Sequence, residues 1–283
     1  MFATFASVPG DVSKPNGDWC LVTPTFAVVL DGVSSPAGTA DSGCRHGTPW
    51  YVRQLGSTLV RYSSITSGLP LGDMLAYGIE DVRREHGGRC DLDSPDTPAA
   101  TVVMFREGDG VYDYLVLSDS TLIVDVDDGL VVVTDPRADA AAPEEQRRVF
   151  EHPVGSPEHA TNLAQMVAAQ RQLRNREGGY WVAAAQPEAA QHAKTNWIRD
   201  DAFGGALAVS DGVTRLHDWG AFTWEGVLSF ARQNGPEGLI GAVRHIEAYD
   251  VAGTRYPRYR SSDDATAVLI RPNSVPDTPG LGR

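Results

Sequence analysis

Phe26-Ala-Val-Val-Leu-Asp31-Gly32 carries five apolar residues straight into an Asp-Gly pair. A run that short, closed by glycine, reads as a buried strand that ends at an acidic residue and turns at once. The construction returns as Gly205-Ala-Leu-Ala-Val-Ser-Asp211-Gly212. Two buried strands that each deliver an aspartate to a strand end offer a way to hold a hard cation.

Working outward, residues 1–25 read as strand and loop, with a turn at Lys14–Asp18 and a short strand at Trp19–Thr23. A Ser-, Gly- and Pro-rich loop from Val33 to Pro49 is long for a compact domain. Tyr51, Leu55, Leu59 and Tyr62 recur at helical spacing, and Met74, Leu75, Ile79 and Val82 mark a second helix over Leu71–His86. A polar loop holding Asp91, Asp93 and Asp96 follows. Four strand patterns, Thr101–Phe105, Val111–Leu117, Thr121–Val126 and Leu130–Thr134, then predict an antiparallel meander, with turns at Gly108-Asp109-Gly110 and Asp127-Asp128-Gly129. Residues 136–200 differ in texture. They are rich in Ala and Glu, predict helices at Thr161–Arg174 and Pro187–Ala193, and read as an inserted, more exposed segment. The core returns with the strand ending at Asp211. Helices are predicted over Trp224–Gln233 and Glu237–Tyr249, then a charged loop, Arg255–Ser262, and a last strand, Ala265–Ile270. The Pro- and Gly-rich stretch 272–283 reads as a disordered tail. Strands and helices thus come in blocks rather than in alternation. That argues against a doubly wound parallel sheet and for an α+β fold, antiparallel sheets with helices on their outer faces.

The chain has 283 residues, 42% of them hydrophobic, enough for a large core. A formal net charge of -13 with no basic block argues against a general nucleic-acid or anionic-membrane binder, while leaving room for a local basic pocket for a phosphate. The first ten residues lack a basic start and a long apolar run, so no signal peptide is read there. No stretch approaches the roughly 20 apolar residues of a membrane span, and a cytoplasmic protein is expected. The cysteines are three, Cys20, Cys44 and Cys90. Cys44 and His46 are close, but no second pair completes a tetrahedral zinc pattern, so three reduced thiols are expected.

Asp18, Asp31, Asp119, Asp211 and Asp263 all border apolar runs. A carboxylate at a buried strand end costs free energy unless it is paired or bound to a cation. Arginines to pair all five are not beside them in sequence, and carboxylates suit magnesium or manganese. The ordered set Asn16-Gly-Asp18, Val-Val-Leu-Asp31-Gly32, Ala-Ala-Thr101-Val-Val, Val-Leu-Ser-Asp119-Ser120, Ala-Val-Ser-Asp211-Gly212-Val and Ser-Asp263-Asp264-Ala-Thr-Ala-Val-Leu-Ile270 resembles the metal-dependent type 2C protein phosphatases, the PPM family, in bacterial form. The similarity runs over residues 10–271, and its closing Asp-Asp-Ala-Thr before an apolar strand is its most specific part.

The resemblance implies one catalytic domain over 1–271, a four-layer α/β/β/α sandwich of two antiparallel sheets flanked by helix pairs, with 136–200 in place of the family's flap. It implies two Mn2+ or Mg2+ ions and a weaker third. Asp31 would bridge the two ions, the Gly32 carbonyl would ligate one, and Asp211 and Asp263 would complete the other. Asp18 would hold a metal-bound water, and Asp119 would be more structural than catalytic. Asp96 falls where the family keeps an acid for the third ion, with Asp91 and Asp93 as competitors. The implied activity is hydrolysis of phosphoserine and phosphothreonine in proteins by a hydroxide shared between the metals, with no covalent intermediate and no role for the cysteines.

Three departures accompany the resemblance. Gly17 stands where an acid or amide is usual, Ser13 where a phosphate-gripping arginine is usual, and Val33-Ser34-Ser35-Pro36 replaces a glycine-rich turn. Lys14, Arg45 and Arg53 are the replacement cations nearest in sequence. These departures keep two alternatives open, a regulatory pseudophosphatase that binds without turnover and a phosphatase of a small metabolite. A pocket walled by the insert favours the metabolite; an open groove favours a protein. Leu163, Met166 and Val167 form an apolar face in the insert that packs on the body or docks a protein partner.

Overall fold

The computed structural model describes residues 1–33, 44–66 and 68–272. Most of the loop read after Val33, and the tail read as disordered from residue 273 on, lie outside them. Among the described residues, ten strands form two five-stranded sheets. One has the order β1 (Phe2–Val8), β10 (Ala265–Arg271), β9 (Phe203–Val209), β6 (Thr121–Val126), β7 (Gly129–Val133). The other runs β2 (Trp19–Val22), β3 (Phe26–Val33), β4 (Ala99–Glu107), β5 (Val111–Leu117), β8 (Lys194–Arg199). Every pairing is antiparallel. The chain is an α+β sandwich of four layers.

The apolar runs are continuous because both faces of the central strands are covered. In β3, Phe26, Val28 and Leu30 pack against helices α1 (Thr48–Ile65) and α2 (Leu71–Glu85), while Ala27 and Val29 face the opposite sheet. In β10, Ala265, Ala267 and Leu269 pack against α5 (Asp211–Asp218) and α6 (Trp224–Tyr249), while Val268 and Ile270 face inward. Period-two alternation therefore serves two cores at once. The helices predicted over Trp224–Gln233 and Glu237–Tyr249 form a single element broken at Gly235, whose φ of 73° breaks the helical path before Pro236.

Four elements differ from the sequence reading. β8 closes the second sheet beside β5 where no strand was expected, because Lys194-Thr-Asn-Trp-Ile-Arg199 is an edge strand exposed along most of its length and shows no apolar alternation. α5 starts directly at Asp211, and the insert carries two α-helices, α3 (Pro143–Phe150) and α4 (Pro157–Arg171). The Pro187–His192 segment is a 3-10 turn.

The loop that delivers Asp263 is organised by a buried pair. Asp250, at the end of α6, accepts from the amides of Thr254 (3.2 Å), Arg255 (2.9 Å) and Tyr256 (2.7 Å). Arg258 is 2% exposed and donates to the carbonyls of Tyr256, Ser261 and Glu247. Burial opposes ionisation of Asp250, yet the Tyr256, Arg255 and Thr254 amides outweigh it and hold the carboxyl below its ordinary value of 3.8. A depressed carboxylate stabilises the fold above its unfolded value and loses that contribution as pH falls through its folded one. Asp250→Ala is expected to cost roughly 3 kcal/mol at pH 7, in line with lost hydrogen bonds to a charged group. Urea melts at pH 7 and in acid check this: the gap from wild type should shrink in acid, and an unchanged gap would refute the carboxylate's role.

Candidate metal centre

Strand ends converge at one end of the sandwich. β3 carries Asp31 and Gly32 in its last three residues, β9 ends just before Asp211, β10 begins just after Asp263 and Asp264, and the β5–β6 crossover passes through Asp119. Both glycines of the Asp-Gly pairs are required by close approach. A Cβ on Gly32 would lie 2.3 Å from the Gly17 carbonyl oxygen, and one on Gly212 would lie 2.0 Å from that of Asp264. The second Asp-Gly opens a helix rather than a hairpin, and the Asp211 amide donates to Asp31 Oδ2 at 3.3 Å.

A cavity of about 160 Å³ is lined by Asp31, Gly32, Asp119, Asp211 and Asp263, and by Asp139, which sequence reasoning missed. Asp18 lies beside it, 5% exposed. Burial, then the charges of Asp211, Asp18, Asp119 and Asp263, pushes Asp31 well above the ordinary carboxylate range. Asp119 is raised likewise, by burial and then Asp139 and Asp211. Burial lifts Asp18 to about 7, with Asp211 and Asp264 adding to it against hydrogen bonds from Thr266 and Ser210. Asp139 is exposed as a residue, but the protein crowding its carboxyl and then the charges of Asp211 and Asp218 push it upward. Two like charges 4 Å apart at an effective dielectric near 20 repel by about 4 kcal/mol. A neutral hydrogen bond returns only about 1 kcal/mol net, so hydrogen bonding alone does not offset this crowding.

Asp18 Oδ2 and Asp119 Oδ1 are buried without a hydrogen-bond partner. Crowded carboxylates with orphaned oxygens are a hard, all-oxygen donor set, and they fit magnesium or manganese at Asp31, Asp119 and Asp211. The Asp263 end is different. Arg215 Nη2 donates to Asp263 Oδ2 at 2.7 Å and lies 3.9 Å from Asp211, and Arg260 donates to Asp263 Oδ1 at 3.1 Å. Burial opposes ionisation of Asp263, but Arg215 and then Arg260 outweigh it and hold the carboxyl below the ordinary range. Arginines to pair all five acids are not beside them, but two of the acids, Asp211 and Asp263, have such partners close in sequence. Arg215 is four residues after Asp211 on α5, and Arg260 three before Asp263.

Asp263, not Asp264, lines the cavity. Asp264 accepts from the amides of Gly10 (2.8 Å) and Gly17 (2.7 Å), which ties the loop before β2 to the start of β10. Asp96, expected at a third metal, is not brought to the other acids. It is held in an ion pair with Arg171 and is not among the cavity's residues. Asp119, expected to be more structural than catalytic, lines the cavity. The arginines that line the cavity are Arg260, before β10, and Arg171 and Arg174 from the insert, rather than Lys14, Arg45 or Arg53. Lys14 is exposed and paired with Asp11. Leu163, Met166 and Val167 also line the cavity, so this apolar face packs over the acids. No sequence signal pointed to Asp139 or the insert arginines, which tertiary packing alone brings to the acids.

No protein-family model and no curated protein matches the sequence. Among solved structures, the chain is similar to the PPM Ser-Thr phosphatase MsPP from Mycobacterium smegmatis in complex with cacodylate, at 19% identity and TM-score 0.55, covering 96% of this chain and 98% of that one. It is similar to the serine/threonine phosphatase PstP/Ppp of Mycobacterium tuberculosis at 14% identity and TM-score 0.56, covering 95% and 97%. The PstP catalytic domain has also been solved with two manganese ions. PppA, a regulatory component of T6SS in Pseudomonas aeruginosa, matches at 20% identity and TM-score 0.53, covering 95% and 96%. No helix among the described residues is long and apolar enough to cross a membrane. The chain has the fold of the PPM serine/threonine phosphatases.

Proposed function

We propose that the chain is a metal-dependent phosphatase that hydrolyses phosphoserine and phosphothreonine in proteins. The observation that carries this reading is the meeting of Asp31, Asp119, Asp211 and Asp263 in one cavity opposite Arg171 and Arg174. Divalent cations held there would supply an activated water and neutralise the phosphoryl oxygens. Asp31, Asp119, Asp211 and the Gly32 carbonyl would hold such ions, with Asp263 available to them only if its ion pair with Arg215 is broken. Asp18 orients polar groups from behind the site. Arg174, anchored by its hydrogen bond to the Thr97 carbonyl at 3.0 Å, presents a guanidinium to the phosphoryl group.

The test is hydrolysis of para-nitrophenyl phosphate and of a phosphothreonine peptide with manganese, with magnesium and with EDTA. Turnover that needs the metal is expected. Manganese binding without turnover on either ester would replace the phosphatase with a regulatory binding module. A second reading, a small phosphorylated metabolite, is favoured by the insert's share of the cavity wall. Saturable turnover of small esters with none of the peptide would establish it.

Arg174→Ala is expected to raise KM for the dye ester roughly tenfold, the cost of about 1.4 kcal/mol from one charge-assisted contact, without altering the manganese dependence. Arg174→Lys should recover only part of this, since an ammonium lacks the planar fork. An unchanged KM would remove Arg174 from phosphate binding.

A further inference from the structure

A second cluster of metal-ligating side chains stands outside the carboxylate cavity, and none of its residues lines that cavity. Cys44 and His46 precede α1; His86 ends α2, and Cys90 lies in the loop beyond it. His46 Nδ1 is 3.8 Å from Cys44 Sγ and 3.6 Å from Cys90 Sγ. The ligand atoms of Cys44, His46 and Cys90 all lie within 4.8 Å of one another. Zinc bonds of about 2.3 Å to sulfur and 2.0–2.1 Å to nitrogen in a tetrahedron put neighbouring ligand atoms roughly 3.5–3.8 Å apart. The two sulfur–nitrogen separations are close to those edges.

His86 supplies an independent observation. It is 4% exposed, its Nδ1 is 2.8 Å from the Val82 carbonyl oxygen, and its buried Nε2 has no hydrogen-bond partner. An Nδ1–H donated to a carbonyl fixes the tautomer with the lone pair on Nε2, the arrangement of a histidine prepared to bind a metal. Its ring stands edge-on to His46, centroids 5.3 Å apart, and Trp50 stacks on His46 at 4.2 Å. Burial holds His86 toward its neutral form, the form that ligates.

We propose that Cys44, His46 and Cys90 form a structural zinc site, with His86 as the fourth ligand once its ring shifts toward them, since its nitrogens lie outside the 4.8 Å group of the other three. Thiolates and imidazoles select zinc over the hard cations suited to the carboxylates. Its place in the fold gives it a task. It staples the entry of α1 to the exit of α2, and Thr48, in the first turn of α1, donates to the Val33 carbonyl at 3.2 Å. The site thus secures the helix end that abuts Asp31 and Gly32. Cys20, Cys44 and Cys90 form no disulfide, in keeping with the expectation of reduced thiols, and the site would add metal ligation at Cys44 and Cys90.

The experiment is cobalt titration of the full reduced chain after chelator treatment, with circular dichroism to show that it is folded. One equivalent of Co2+ should produce a thiolate-to-cobalt charge-transfer band and tetrahedral visible absorption, displaced by one equivalent of zinc. The band should persist in Asp31→Asn, weaken in Cys90→Ser and lose tetrahedral intensity in His86→Ala. The signal needs sulfur ligands, so it reports nothing from the carboxylate centre and is independent of phosphatase activity. A folded wild-type chain that gives no charge-transfer band overturns the proposal without recourse to variants. Isolation of a Cys44–Cys90 disulfide, together with no cobalt uptake by the reduced chain, would overturn it in favour of a redox pair.

Discussion

Asp31→Asn should lower manganese-dependent hydrolysis roughly a thousandfold while making the metal-free chain more stable than wild type. Both effects come from one carboxylate. Asp31 accepts the Asp211 amide at 3.3 Å and sits among the charges of Asp211, Asp18, Asp119 and Asp263. A carboxyl whose folded pKa is raised costs stability as pH rises from its unfolded value through its folded one, because the unfolded chain ionises first. At neutral pH that cost stands in full or is met by holding a proton. Asparagine keeps the shape and the acceptor for the Asp211 amide but carries no charge. A gain of about 1–2 kcal/mol in EDTA is expected, a fraction of the pairwise repulsion. Saturating manganese should reverse the order, since the cation stabilises only the chain that binds it. Thermal melts in EDTA and in manganese, beside the rate assay, decide it. A variant less stable than wild type in EDTA would show that the acids are not in conflict, and the case for a cation there would fall.

Arg215→Ala should destabilise the metal-free chain by about 3–5 kcal/mol, the usual cost of leaving a buried charge without its partner. Arg215 is 6% exposed, and its guanidinium lies between Asp211 and Asp263. Manganese should restore most of the loss, because a divalent ion can take the guanidinium's place between the same two carboxylates. Urea melts of wild type and variant with and without manganese measure this directly. If the deficit is the same with metal as without, Arg215 is a fixed part of the core, and a second ion at Asp263 has no room.

Much of this molecule is legible in its sequence. The runs at Phe26–Leu30, Gly205–Val209 and Ala265–Ile270 are apolar throughout because each strand is sandwiched between a helix layer and the other sheet. The aspartates that close those runs are legible for the same reason, since a charge at the end of a buried strand has few places to go. β8 was not legible because an exposed edge strand is under no pressure to alternate.

The chain by itself determined the layer order, the strand-end acids Asp31, Asp211 and Asp263, and an acidic net charge of -13. The tertiary structure alone decided what those acids face. Asp139, Arg171 and Arg174 reach the cavity from the insert, and His86 and Cys90 meet Cys44 and His46 only because α1 and α2 run side by side. Periodicity records burial within one element. A site assembled from several elements depends on how they pack, and local spacing carries no trace of that.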